Sequence, residues 1–307
     1  MTHRRAVAGG VLVTVAACVL AWGLAYPASA LGPALVRAVA DAAAVVTLGL
    51  TVVPALDGPR YRDDLVRRRR APLVLSSAAW LIAELVRWVL AGAEAAGTAV
   101  TGLGLRTAAE FALQTSAGRA GVLTVVAAAV VCALAAVAPR HGAAMAVAAG
   151  CAGIGVLGYP MTGHLSDSAV GGIAVAVHAL AAALWCGVLA ALVLTVDHRG
   201  QWARVLPRFS QLSLGCVVVL LVGGLAGGAA VLGSATELFA TGYGRVLSVK
   251  IGLTAVLIAL AWRNREIWLP SARAHRSTAA VSRTRAHVEL ALMAAALAAA
   301  ATLSVTG

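Results

Sequence analysis

The 307-residue sequence is 61% hydrophobic and only 12% charged, with a mean hydropathy of +0.91, whereas soluble domains carry about 25% charged residues. A water-soluble enzyme of this composition could not cover its own core. The formal charge of +12 comes from 23 Arg and one Lys against 12 acids. In a soluble domain that balance would point to nucleic acid, a partner that the hydropathy rules out here.

Apolar stretches bounded by charge or by Gly/Pro punctuation run near residues 7–26, 32–56, 73–96, 119–138, 143–160, 170–196, 209–233, 245–262 and 286–306. Each is close to the roughly 20 apolar residues that cross a bilayer. They predict an all-α polytopic membrane bundle of about nine transmembrane helices, since the alternating pattern of a membrane barrel strand is missing. The first stretch, with Arg4-Arg5 before it and Ala28-Ser29-Ala30 after it, imitates a signal peptide. Its apolar run exceeds the roughly 7–15 residues usual for such a signal, so a retained helix is expected; cleavage would leave eight. Between the third and fourth spans, residues 97–118 predict a short interfacial amphipathic helix, with Leu105, Phe111 and Leu113 set against Arg106, Glu110 and Gln114. Gly223-Gly224 and Gly227-Gly228 on the seventh span suit close helix packing in lipid. Five cysteines, at 18, 132, 151, 186 and 216, all fall in apolar runs without CxxC spacing and read as reduced, buried residues.

The positive-inside rule turns the charge into an orientation. With the N-terminus in the cytoplasm, 18 of the 23 arginines fall inside, and Arg67 to Arg70 form an unbroken run. Arg106, Arg119 and Arg245 lie outside or at the outer boundary, and the C-terminus lies outside. A multi-pass protein of the cytoplasmic membrane, with the lipid bilayer as its first partner, is the expected setting.

Ionisable or metal-liganding side chains inside spans are costly and therefore functional candidates. Met161-Thr162-Gly163-His164 precede the sixth span, and His178 sits about 12 Å along it if the helix begins near Val170. Trp185 follows two turns later on nearly the same face, with Cys186 turned away by about 80°. His164 at the mouth and His178 below it form a candidate metal path from outside, with Met161 as a weaker third ligand. Thioether and imidazole together favour Cu(I), and imidazole alone also suits Cu(II) or Zn. The structural alternative makes His164 a solvated residue and His178 a helix-helix contact. Glu84 and Arg87 on the third span are three apart, with Trp88 on the same helix face. Structural pairing is the favoured reading for them, and for the i, i+4 pair Arg37 and Asp41, over a proton or ion relay. Lys250 on the eighth span is expected to snorkel to the outer interface.

Phe209-Ser210, the Gly-rich middle of span seven, Tyr243-Gly244-Arg245 leading to Lys250, Asn264-Arg265, and Glu289 on span nine resemble the copper resistance D (CopD) family. Gly163-His164, and His178 followed by Trp185-Cys186-Gly187, are similar to that family's GH loop and H-x6-W-x-G helix. The resemblance covers about residues 159–306, which separates CopD-like helices six to nine (159–307) from residues 1–158, matched in hydropathy and span count only. It implies copper uptake or tolerance at the inner membrane, with His164 and His178 as copper ligands. No CopC-like domain accompanies them, so a copper donor would be a separate periplasmic or extracellular protein. No enzyme chemistry is needed. Two alternatives stay open: a b-type haem electron carrier, for which His287 is the other histidine near a span, and a structural or assembly subunit.

Overall fold

A computed structural model describes residues 2–27, 30–137, 142–159, 169–231, 239 and 241–304, with side chains for all of these except 2–7, 169–170 and 225–231. The described residues are helical, with no strand among them. The long helices are α1 (Thr2–Ala25), α2 (Leu31–Val52), α4 (Arg70–Ala95), α6 (Ser116–Val137), α8 (Ala169–Thr195), α9 (Arg199–Val231), α10 (Gly242–Arg263) and α12 (Ala279–Leu303). Shorter elements are α3 (Arg62–Arg68), α5 (Leu105–Gln114), α7 (Gly142–Leu157) and α11 (Leu269–Arg273), and a π-turn, Asn264–Trp268, continues α10 into α11.

Among the described residues, eight helices are long and apolar enough to cross a membrane. The ninth expected span is α7, whose 16 residues extend about 24 Å, short of the roughly 30 Å of hydrocarbon. Mid-helix side chains such as Leu75, Ile82, Ile173 and Val222 are exposed on the protein surface. In water this would be a liability, whereas against acyl chains it is the expected outer layer. The chain is therefore a multi-pass membrane protein.

Chain direction alternates between two ends. One gathers the 57–69, 196–198 and 264–278 segments and is rich in arginine; the other gathers the turns at 26–27 and 96–115. Helices α6, α4, α2, α8 and α9 pack in succession, with α7 wedged on α6 and α2. Helix α12 packs on α1 and α10 and also touches α2 and α8. Helix starts follow local chemistry where the chain leaves the apolar layer: the Thr241 hydroxyl accepts from the Gly244 N–H at 2.9 Å, and the Thr278 hydroxyl from the Val281 N–H at 3.2 Å. At the arginine-rich end, buried Arg69 donates to the carbonyls of Leu50 and Thr51, both at 3.0 Å, satisfying acceptors that the end of α2 leaves free. Burial pushes the Arg69 guanidinium down to about 10, so it remains a cation at neutral pH. Around it, Arg204 bonds both Asp57 oxygens at 3.1 and 3.2 Å, and Asp197 pairs with Arg68 and with Arg283.

The segment expected to form an interfacial helix does so as α5, with Arg106 and Glu110 paired at 2.9 Å. Its three apolar residues do not act together, however. Phe111 is buried against Gly92, whereas Leu105, 92% exposed, and Leu113 point away from the bundle. The cysteines are all free thiols.

Where α2 crosses α8, Gly49 faces Gly187: a Cβ on Gly49 would overlap the Gly187 carbonyl, and one on Gly187 would overlap the Val45 carbonyl. Close backbone approach through small residues is the packing that lipid favours, because burial of apolar area no longer discriminates. Gly187→Ala is expected to destabilise the bundle by about 1–3 kcal/mol, read as an earlier unfolding transition in detergent. Gly215→Ala, where the added Cβ meets open space, serves as the neutral control.

Candidate functional site

His178 lies nine residues into α8, about 14 Å from its start by helical rise. Its imidazole turns toward α9: Nδ1 lies 3.5 Å from where a Gly223 Cβ would stand, and the ring bonds the Leu220 backbone. A methyl group at position 223 would sit in ordinary van der Waals contact with the His178 ring. One ring nitrogen is held by the Leu220 backbone, which leaves the other as the one a metal would use, the arrangement in which a carbonyl fixes the tautomer of a ligating histidine. Lys250, eight residues into α10 from the same end, lies at about the same depth. It is half-buried and within electrostatic reach of His178. Met161 and His164 lie outside the described residues.

Two turns further along α8, Trp185 is buried and remains on the α9 side, where its backbone meets the Cys216 thiol. Cys186 turns instead toward α12, within reach of Glu289. Glu289 is 2% exposed and accepts from Asn264 Nδ2 at 2.8 Å. The Trp185 indole approaches the same carboxyl group without closing a hydrogen bond of normal geometry. Asn264 opens the π-turn, a register change of a kind that often marks functional positions, and the next residue, Arg265, donates to the Ser210 hydroxyl at 2.9 Å and its carbonyl at 3.2 Å. Ser210, Ser213, Asn264, Arg265 and Glu289 line a cavity of about 20 Å³, enough for one water. Three motifs that are far apart in the chain, Phe209-Ser210, Asn264-Arg265 and Glu289, thus form one polar pocket near the arginine-rich end.

A second polar cluster joins α2 and α4. Arg87 Nη2 contacts Glu84 Oε2 at 3.0 Å, Arg87 Nη1 reaches Asp41 at 3.4 Å, and Arg37 Nε lies 3.7 Å from the other Asp41 oxygen. Trp80 donates to Glu84 at 3.3 Å. The two pairs expected from helical spacing are therefore one network of zero net charge. Its guanidinium of Arg87 stacks 3.4 Å from the centre of the Tyr159 ring, just beyond α7. Trp88 takes no part, donating instead to the Gly118 carbonyl on α6 at 3.3 Å.

His287 lies eight residues into α12 from the arginine-rich end. By helical rise His178 and His287 differ in depth by about 14 Å, too far apart to ligate one haem iron between them. Among the described residues, no three His, Cys, Asp or Glu gather as a metal site.

Because Glu84 and Arg87 are buried together, removing one partner leaves an uncompensated charge. Arg87→Met is expected to cost about 3–5 kcal/mol of stability, with part recovered when Glu84→Leu is added, as measured by unfolding in detergent. A double variant no better than the single one would show that the pair is not coupled.

Comparisons with known proteins address both halves of the chain. Residues 28–173 match the family model for the copper resistance protein D-like N-terminal domain, and residues 203–303 match the model for copper resistance protein D. Over 115 residues the chain is 35% identical to the copper transport protein CutJ of Bacillus subtilis (strain 168), a match covering 34% of this chain and 21% of that protein. The chain thus spans about a fifth of the length of this curated relative. No solved structure matches. The pocket that joins Ser210, Asn264 and Glu289 lies inside the second matched region, and with models matched in both halves the chain belongs to the copper resistance protein D family.

Proposed function

We propose that the protein carries copper ions inward across the cytoplasmic membrane, in uptake that serves copper homeostasis or tolerance, with His164 and His178 as the receiving ligands at the outer face. The arginine distribution supports the orientation: the arginine-rich end faces the cytoplasm, the N-terminus is inside and the C-terminus outside. On that topology His178 lies in the outer half of the membrane. The observation that carries the reading is the placement of His178 against α9, its ring within van der Waals range of Gly223 and one ring nitrogen held by the Leu220 backbone, so that the other nitrogen is the one a metal would use. Met161 would add a soft thioether suited to Cu(I). A separate periplasmic or extracellular copper-binding protein delivers the ion, and no bond-making step is required of the membrane protein.

Conduction demands binding strong enough to admit the ion and weak enough to release it. Lys250 supplies the second condition, because an ammonium near His178 opposes a resident cation. Beyond His178 the route follows α8 past Trp185 to Glu289, whose carboxylate offers the opposite electrostatics. Glu84 and Arg87 serve as structural neutralisation and not as a relay.

The test is copper content of cells, or of proteoliposomes after copper loading, compared among wild type, His164→Ala and His178→Ala. Loss of a ligand or its support lowers metal affinity by roughly 10- to 100-fold, so accumulation at limiting copper is expected to fall about tenfold or more in each variant. Equal content in all three overturns the ligand assignment.

A further inference from the structure

Several arginines at the arginine-rich end are committed within the protein. Arg68 and Arg283 pair with Asp197, Arg204 with Asp57, and Arg265 with Ser210. Arg263, in the last turn of α10, and Arg285, in α12, make no ion pair among the described residues, and neither does the nearby acid Glu266. These two arginines face each other across a cleft of about 160 Å³ that they line with Thr284, Leu260, Ile267 and Val288. The cleft has two kinds of wall. Guanidinium and hydroxyl groups supply donors, while Ile267 and Val288 are exposed apolar side chains, with the exposed Trp262 next to Arg263.

In a spanning bundle these apolar walls are in contact with acyl chains, and an aromatic side chain at a span end marks headgroup level. An occupant must therefore present an anion to the arginines and hydrocarbon to the apolar wall. A free phosphate satisfies only the first requirement, and a neutral lipid lacks the net negative charge that two unpaired guanidinium groups call for. Guanidinium forks match phosphate oxygens in bidentate geometry, and basic pockets between spans at headgroup level suit acidic lipids. We infer that the Arg263–Arg285 cleft binds the phosphate headgroup of an anionic phospholipid. The inference is independent of the copper reading. It has one consequence for the neighbouring pocket: Asn264 lines this cleft as well as the cavity at Glu289, so the bound phosphate is separated from that carboxylate by a single side chain.

The experiment uses the full-length protein in detergent or in nanodiscs of phosphatidylcholine, titrated with phosphatidylglycerol and, separately, with inorganic phosphate. Lipid retention is read by native mass spectrometry and stabilisation by thermal unfolding. At about 1 kcal/mol per basic residue at the surface, Arg263→Gln with Arg285→Gln is expected to weaken phosphatidylglycerol binding about 30-fold. The charge-preserving pair Arg263→Lys with Arg285→Lys loses the bidentate fork but keeps the charge, so it binds more tightly than the glutamine pair and more weakly than wild type, whereas Arg273→Gln with Arg276→Gln, which removes two arginines outside the cleft, retains binding. Undiminished binding in the first pair, or equal loss in the third, overturns the inference. Stabilisation by inorganic phosphate that matches the lipid also overturns it, in favour of a free-anion site.

Discussion

The Gly49–Gly187 contact decides where α8 can lie, and with it most of what the bundle can do. Lipid offers helices little hydrophobic reason to associate, so contact depends on how closely two backbones can approach. With no Cβ on either side, α2 and α8 meet backbone to backbone. That fixes the rotation of α8: the face carrying Gly187 is taken by α2, the face carrying His178 and Trp185 falls to α9, and Cys186 turns to α12. On the other side the His178 ring packs within van der Waals range of Gly223 on α9.

The same low-dielectric surroundings govern the charges. An ion in hydrocarbon must find a partner inside the protein, and the molecule meets this demand in three ways. Arg37, Asp41, Glu84 and Arg87 cancel one another between α2 and α4. At the arginine-rich end, Arg69 uses backbone carbonyls at the end of α2, so one side chain neutralises a helix terminus and ties α2 to the start of α4. Glu289 relies on the amide of Asn264, which a π-turn has rotated into position. Only the first of these is an ion pair, and it has no vacancy for a transported cation. The carboxylate that retains unused acceptor capacity next to a cavity is Glu289.

Hydropathy carried the architecture because a span is a local property, readable over roughly 20 consecutive residues. Pairs within one helix were legible for the same reason: Glu84 with Arg87, and Arg37 with Asp41, follow from 3.6 residues per turn. What spacing could not supply was the relative rotation and depth of two helices. Arg87 therefore reaches Asp41 across 46 positions unannounced, and Lys250 comes within electrostatic reach of His178 on another helix. Phe111 parted from Leu105 and Leu113 because one ring found a pocket at Gly92, a contact that amphipathicity alone does not encode. For Ser210, Asn264, Arg265 and Glu289, order along the chain marked them as a set, but their convergence on one cavity needed the π-turn, which no single residue in the segment signals.

Depth also gives the proposed route a direction. By helical rise, His178 and Lys250 share a layer about 12–14 Å from the end opposite the arginines, and Glu289 lies closer to the arginine-rich end, at about the depth of Trp185. A cation in the first layer feels the Lys250 charge and is opposed; in the second it meets a carboxylate whose neighbours are an amide and two serine hydroxyls. On the proposed route, soft-ligand affinity and electrostatics would act in opposite senses along α8, imidazole holding copper where charge resists it and carboxylate attracting charge where soft ligation is weaker. Neither layer is then a deep trap, which is the condition for an ion to pass through a protein rather than remain in it. The arginines beyond Glu289 act against release only where they are uncompensated. Arg265 is held by hydrogen bonds to Ser210, and an anionic headgroup between Arg263 and Arg285 would lower the remaining barrier on the proposed route out through the arginine-rich end.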